Sequence, residues 1–142
     1  MSKELLKSWI EHGWLNGELD TVNSILPATF SIAGLPASEN FPRAEFPELV
    51  ELFRRLTGPG VVEITNIIED TPWCSATFKL IAKPATQLKP ITIDVFLVAK
   101  FESGRMTEHY TGFDYFSLFS QLGQIPENSL EHCLLGGHLT WT

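Results

Sequence analysis

The chain has 142 residues, 44% of them hydrophobic and 19% charged, with a formal net charge of -7. That length suits one domain, residues 1–142, able to bury a core without staples, and the composition is globular rather than disordered. The acidic balance opposes nucleic-acid binding, since the only adjacent basic pair is Arg54-Arg55, and no apolar run reaches the length of a membrane span.

A first helix opens at Ser2, with Leu5, Leu6, Trp9 and Ile10 as its apolar stripe and Gly13 as its end. A second short helix restarts at Gly17-Glu18-Leu19-Asp20, turns Val22, Ile25 and Leu26 inward, and stops at Pro27. Residues Ala28 to Ala33 read as a short strand, and 34 to 46 as a loop. Pro47 suits the first turn of a third helix, whose face is Leu49, Phe53 and Leu56 and whose end is Gly58-Pro59-Gly60.

The period then changes. Val61 to Ile68 alternates and is β-branched, so it predicts a strand. Strands follow over Trp73 to Ala82, Ile91 to Phe101 and Arg105 to Phe113. Tyr115 to Leu122 is a short helix ended by Gly123. The tail from Leu130 to Thr142 fits a helix or a strand. Helices first and a meander of strands afterwards predict an α+β fold: a curved, mostly antiparallel sheet packed on N-terminal helices, with a concave end where a pocket can form.

The two cysteines, Cys74 and Cys133, fit no metal or redox spacing; a disulfide between them is the alternative to the two buried free thiols expected. His12, His132 and His138 form no metal spacing either. The N-terminus lacks the apolar core of a signal peptide, which makes a cytoplasmic protein the expectation.

Several stretches resemble a known family. Residues 9 to 20, Trp-Ile-Glu-His-Gly-Trp-Leu-Asn-Gly-Glu-Leu-Asp, look like the helix junction "W-N-x-G-D-L-D" of SnoaL-like proteins. Residues 101 to 110, Phe-Glu-Ser-Gly-Arg-Met-Thr-Glu-His-Tyr, are similar to their "F-x-D-G-[KR]-I-x-E-x-W" hairpin, with Tyr110 where the Trp usually stands. Asp114 matches their "W-x-x-x-D" aspartate, and residues 120 to 126 resemble their "Q-L-G-x-x-P". The resemblance implies the cone-shaped fold of the nuclear transport factor 2-like superfamily, often dimeric, with an apolar pocket. In the polyketide cyclases of this family the matching aspartate is an acid/base, and no metal or cofactor is used. The resemblance thus implies a homodimer and an apolar carbonyl substrate. The cyclase segment "H-x-G-x-F-x-G-x-x-P-T-G" is missing. The "R-x-D" pair of limonene-epoxide hydrolases is absent from Trp73 to Ala82, so that route of epoxide opening is not expected.

Two carboxylates are the catalytic candidates, Asp114 and Asp94. A three-residue turn at Glu102-Ser103-Gly104 would set Phe101 opposite Arg105 and place Asp94 and Asp114 diagonally on one face, their Cα atoms about 7–8 Å apart. Such a pair can split its pKa values and shuffle a proton at a carbonyl. A two-residue turn would put them on opposite faces. Tyr110, Phe96, Trp14 and Trp73 are the candidate ligand contacts. Tyr110, Asp94 and Asp114 together also supply the residue types of a steroid-isomerase-like site. Each has a structural alternative: Asp114 as N-cap of the following helix, Asp94 as a solvent-facing strand residue, and Trp14 and Trp73 as core. His109 alternates opposite to Asp114, which places it at a surface or interface.

Overall fold

The computed structural model describes residues 2–30 and 41–140. Helix α1, Ser2–Ser8, runs directly into a π-helical turn, Trp9–Trp14, and α2 follows over Leu19–Ile25. Short strands β1, Thr29–Phe30, and β2, Phe41–Pro42, pair with each other, so the expected loop holds a strand and a 3₁₀ turn at Arg43–Glu45. The parts of the expected strand and loop between 31 and 40 lie outside the described residues. Helix α3 spans Phe46–Thr57, with Pro47 in its first turn and Gly58 beyond its end. Gly58 takes φ +78, and a Cβ there would strike the Lys83 carbonyl, so only glycine fits this stop.

Strands β3, Gly60–Asp70, β4, Trp73–Ala82, β5, Ile91–Glu102, and β6, Arg105–Phe113, form one antiparallel meander in sequence order. Helices α4, Tyr115–Gln121, and α5, Ser129–Leu134, follow the sheet; of the tail expected as helix or strand, the part up to Leu134 is helical and 135–140 is turn and irregular chain. The strict burial alternation of β5 shows why this sheet has one dry face. Ile91, Ile93, Val95, Leu97, Ala99 and Phe101 are buried, while the residues between them are exposed or half-buried. That inner face meets Leu6, Trp9 and Ile10 of the N-terminal segment, Val22 and Ile25 of α2, and Leu26 just beyond it. Each such aliphatic side chain contributes about 1.5–3 kcal/mol on burial.

Two bulges curve the sheet. Thr65 is the extra residue in β3 and Thr107 in β6. In both, the threonine hydroxyl donates to a carbonyl of the partner strand, Thr65 to Thr77 at 3.0 Å and Thr107 to Lys100 at 3.3 Å. A bulge leaves a ladder group unpaired and bends the strand; here a side chain supplies the missing bond.

The hairpin between β5 and β6 differs from the expected one. Glu102 pairs with Arg105, which leaves the two-residue turn Ser103-Gly104, with φ of 52 and 78 at the two positions. These are the left-handed angles that a tight two-residue hairpin turn demands. The bulge at Thr107 then shifts the register by one, so that Lys100 faces Glu108 and Phe96 faces Gly112. The turn alone would invert the faces of β6, and the bulge reverses that inversion.

The cysteines also differ in part from expectation. Cys74 is buried and Cys133 exposed, both as free thiols. Burial pushes the Cys74 thiol up from its ordinary value, with Glu69 adding to the effect. Among the described residues no helix is long and apolar enough to cross a membrane.

Candidate functional site: an apolar cavity between α3 and the sheet

A cavity of about 670 Å³ opens between α3, the N-terminal π turn and the inner face of β6. That volume lies within the usual range for small-molecule sites. Trp9 and Trp14 come from the π turn, Phe30 from β1, and Phe46, Leu49 and Phe53 from α3; Phe113, Tyr115 and Phe119 close the far side. The rings pack in mixed geometries, several of them edge to face and others tilted or stacked. Trp14 meets Phe78 at 5.0 Å and 83°, and Phe53 meets Phe113 at 5.3 Å and 82°.

Few polar groups reach this space. His109 and Thr111 enter from β6, Thr57 from the end of α3, and the Tyr115 phenol from α4; Arg54, exposed on α3, stands at the edge. Both ring nitrogens of His109 are buried, and the ring lies 5.9 Å from Phe30. Burial raises the Tyr115 phenol above its ordinary value. His109 pairs with Ala99, Thr111 with Leu97 and Phe113 with Val95, all of whose strand β5 partners point into the core. The alternation of β6 therefore delivers His109 to the cavity.

The residues singled out from sequence divide. Trp14 lines the cavity. Asp114 lies at the end of β6, exposed, and its carboxylate accepts the backbone N–H of Ser117 at 2.9 Å as the N-cap of α4. Asp94 points from the opposite, outer face of the sheet and accepts from Lys79 Nζ at 2.8 Å. That hydrogen bond and charge hold the Lys79 ammonium above its usual range. Tyr110 and Phe96 stand on the same outer face, each 57% exposed. Phe96 lies against Gly112, where a Cβ would collide with its ring. Trp73 sits at the end of β4 with Lys100 Nζ 5.9 Å from its ring centroid. The expected diagonal between Asp94 and Asp114 does not form, because the β5–β6 ladder ends at the pair Val95–Phe113 and Asp114 turns away into the helix cap.

The motif glutamine also has a structural task. Gln121 accepts from Thr92 N–H and donates to Thr92 C=O, both at 2.9 Å, and donates to Ser117 Oγ at 2.8 Å. It thereby satisfies the edge of β5 where β6 has stopped, and pins α4 beside the cavity. Among the described residues no group of three or more His, Cys, Asp or Glu is placed to hold a metal.

No family model matches the chain, and no curated protein does. Solved structures do. A candidate polyketide cyclase from Acidithiobacillus ferrooxidans aligns with a TM-score of 0.70 at 20% identity, covering 85% of this chain and 93% of that one. A SnoaL-like candidate polyketide cyclase from Jannaschia aligns at 0.68 with 12% identity, covering 87% and 92%. The fold is the SnoaL-like cone. An epoxide hydrolase of limonene-epoxide-hydrolase type from M. tuberculosis shares it at 0.61 with 17% identity over 96% of each chain. The SnoaL-like cone thus hosts neighbours of differing chemistry, so the residues in the cavity must carry any functional reading.

Proposed function

We propose that this chain is a cofactor-independent SnoaL-like enzyme, a cyclase, isomerase or lyase. It binds an apolar, ring-bearing carbonyl compound between α3 and β6 and moves a proton with His109. The observation that carries this reading is the placement of one imidazole, its nitrogens buried, on the wall of an aromatic cavity. A histidine titrates nearest neutrality of all side chains, so it can take a proton from a carbon beside a carbonyl and return it elsewhere. Tyr115 and Thr111 are the hydroxyl donors available to the carbonyl oxygen. Asp114, read from sequence as the acid/base, acts in this proposal through the fold, because its carboxylate is committed to the α4 cap.

The test uses tetralone, an apolar ketone with exchangeable protons beside its carbonyl. Quenching of the tryptophans reports binding, and deuterium uptake at the α-carbon, followed by NMR, reports proton transfer. Bound tetralone is expected to exchange faster with the native chain than in buffer. His109→Asn should bind it while exchanging at the buffer rate, and Asp114→Asn should exchange like the native chain.

A second reading, a non-catalytic binding module, draws support from the absence of any carboxylate among the described cavity-lining residues. Binding of tetralone with no exchange above buffer selects it. We also propose that the chain forms a homodimer through the outer sheet face, where Ile68, Phe96, Val98 and Tyr110 are exposed together. Apolar patches of this kind, rimmed by charged pairs such as Lys79–Asp94, mark interaction sites.

A further inference from the structure

The N-terminal segment does not end at Gly13; it continues through it as a π-helical turn. Leu15 N–H donates to Ile10 C=O at 3.1 Å, the five-residue spacing of that winding. Its consequence is geometric. In an α-helix residues five apart point about 140° from one another, so Trp9 and Trp14 would diverge. The looser π winding brings both indoles to the same cavity. Glycine stands between them. Gly13 is buried, and its φ lies outside the left-handed range, so backbone conformation does not demand glycine. Alanine is the better helix former, and the demand is for space. A Cβ on Gly13 would lie well inside contact distance of Cε3 and Cζ3 of the Trp9 benzo ring, a clash. That ring is backed by Phe46 at 5.1 Å and only 2% exposed, so the open direction left to it is the cavity it lines.

We propose that Gly13 is the specificity-determining position of this cavity. Its bare backbone is the shelf on which the Trp9 indole rests, and this sets the length of flat, fused-ring ligand that fits beside Trp14. Any side chain at this position pushes the indole into the space a ligand would fill. The inference rests on the cavity being the ligand site.

Two fluorescent probes of different length test it, naphthol and the longer phenylnaphthylamine, each titrated against the native chain. Gly13→Ala should weaken phenylnaphthylamine by about tenfold while naphthol stays within about twofold. Adding Trp9→Phe to Gly13→Ala, which gives the new methyl room, should restore the longer probe. Equal effects on both probes, or none, overturn the proposal. If Gly13→Ala does not fold, Trp9→Phe alone decides: it should favour the longer probe over the shorter, and unchanged selectivity overturns the proposal. A native chain that binds neither probe sinks the cavity reading and this inference with it. A native chain that binds both, with selectivity indifferent to position 13, sinks this inference alone.

Discussion

Asp114 sits where two physical roles compete, and its partner decides between them. The carboxylate bonds the Ser117 N–H, one of the donors that a helix start leaves without an intrahelical acceptor. Asp114→Ala should therefore cost about 1 kcal/mol of stability in urea titration, and Asp114→Ser only a fraction of that. Probe binding should be unchanged in both. Tyr115, next along, supplies a pH signature. Its folded-state pKa is raised above the ordinary 10.0 by burial, so the folded chain holds the phenol proton more tightly than the unfolded one does. Stability is then complete below the unfolded value and falls as pH climbs from about 10 through the folded value. Tyr115→Phe should flatten that alkaline limb of the melting curve. Asp114 as a cap was readable from its position before an aromatic helix. His109 was not, because both faces of β6 are mixed: His, Thr and Phe on one, Glu, Tyr and Gly on the other. Alternation gives parity, but with no apolar bias it does not say which parity faces the core.

At the scale of elements, strands β3 to β6 were legible almost to the residue, since alternating apolar patterns and turn residues bound them. The π turn was hidden. A glycine after an apolar stripe signals a helix end, whereas here Gly13 lies within the turn and leaves room for the Trp9 indole. Gln121 is a second element-scale feature that a motif names without explaining. Its side chain substitutes for a missing strand on β5. Gln121→Ala should cost about 1–2 kcal/mol for the lost bonds. The amide of Thr92 should lose its hydrogen-exchange protection while that of Leu97, inside the ladder, keeps its own.

For the whole molecule, helices followed by a meander of strands were enough to predict an α+β fold, because a one-sided apolar sheet must be covered on its dry side; the cone shape was implied by the family resemblance. Which cavity that cover leaves was not predictable, since it depends on how aromatic side chains from α3, β1 and the π turn meet. The outer face carries the proposed dimer. Tyr110→Glu, beside Val98 and exposed, should shift sedimentation from dimer to monomer without changing probe binding. A native chain that sediments as a monomer at high concentration removes the dimer proposal.

The bulge at Thr107 has a consequence for how the chain chooses among its own pairings. Without it, the two-residue turn would zip β6 one position out of step. Glu108 and Tyr110 would then be driven toward the core and His109 released to water. Such a slip loses only one irregularity in the ladder, so backbone bonding barely opposes it. What opposes it is the penalty for burying an unpaired carboxylate. Glu108, which lies outside the cavity near Lys100 and Tyr110, thereby acts as a lock on strand register. Its charge forbids the competing alignment, and through that exclusion the cavity keeps an imidazole in place of a phenol.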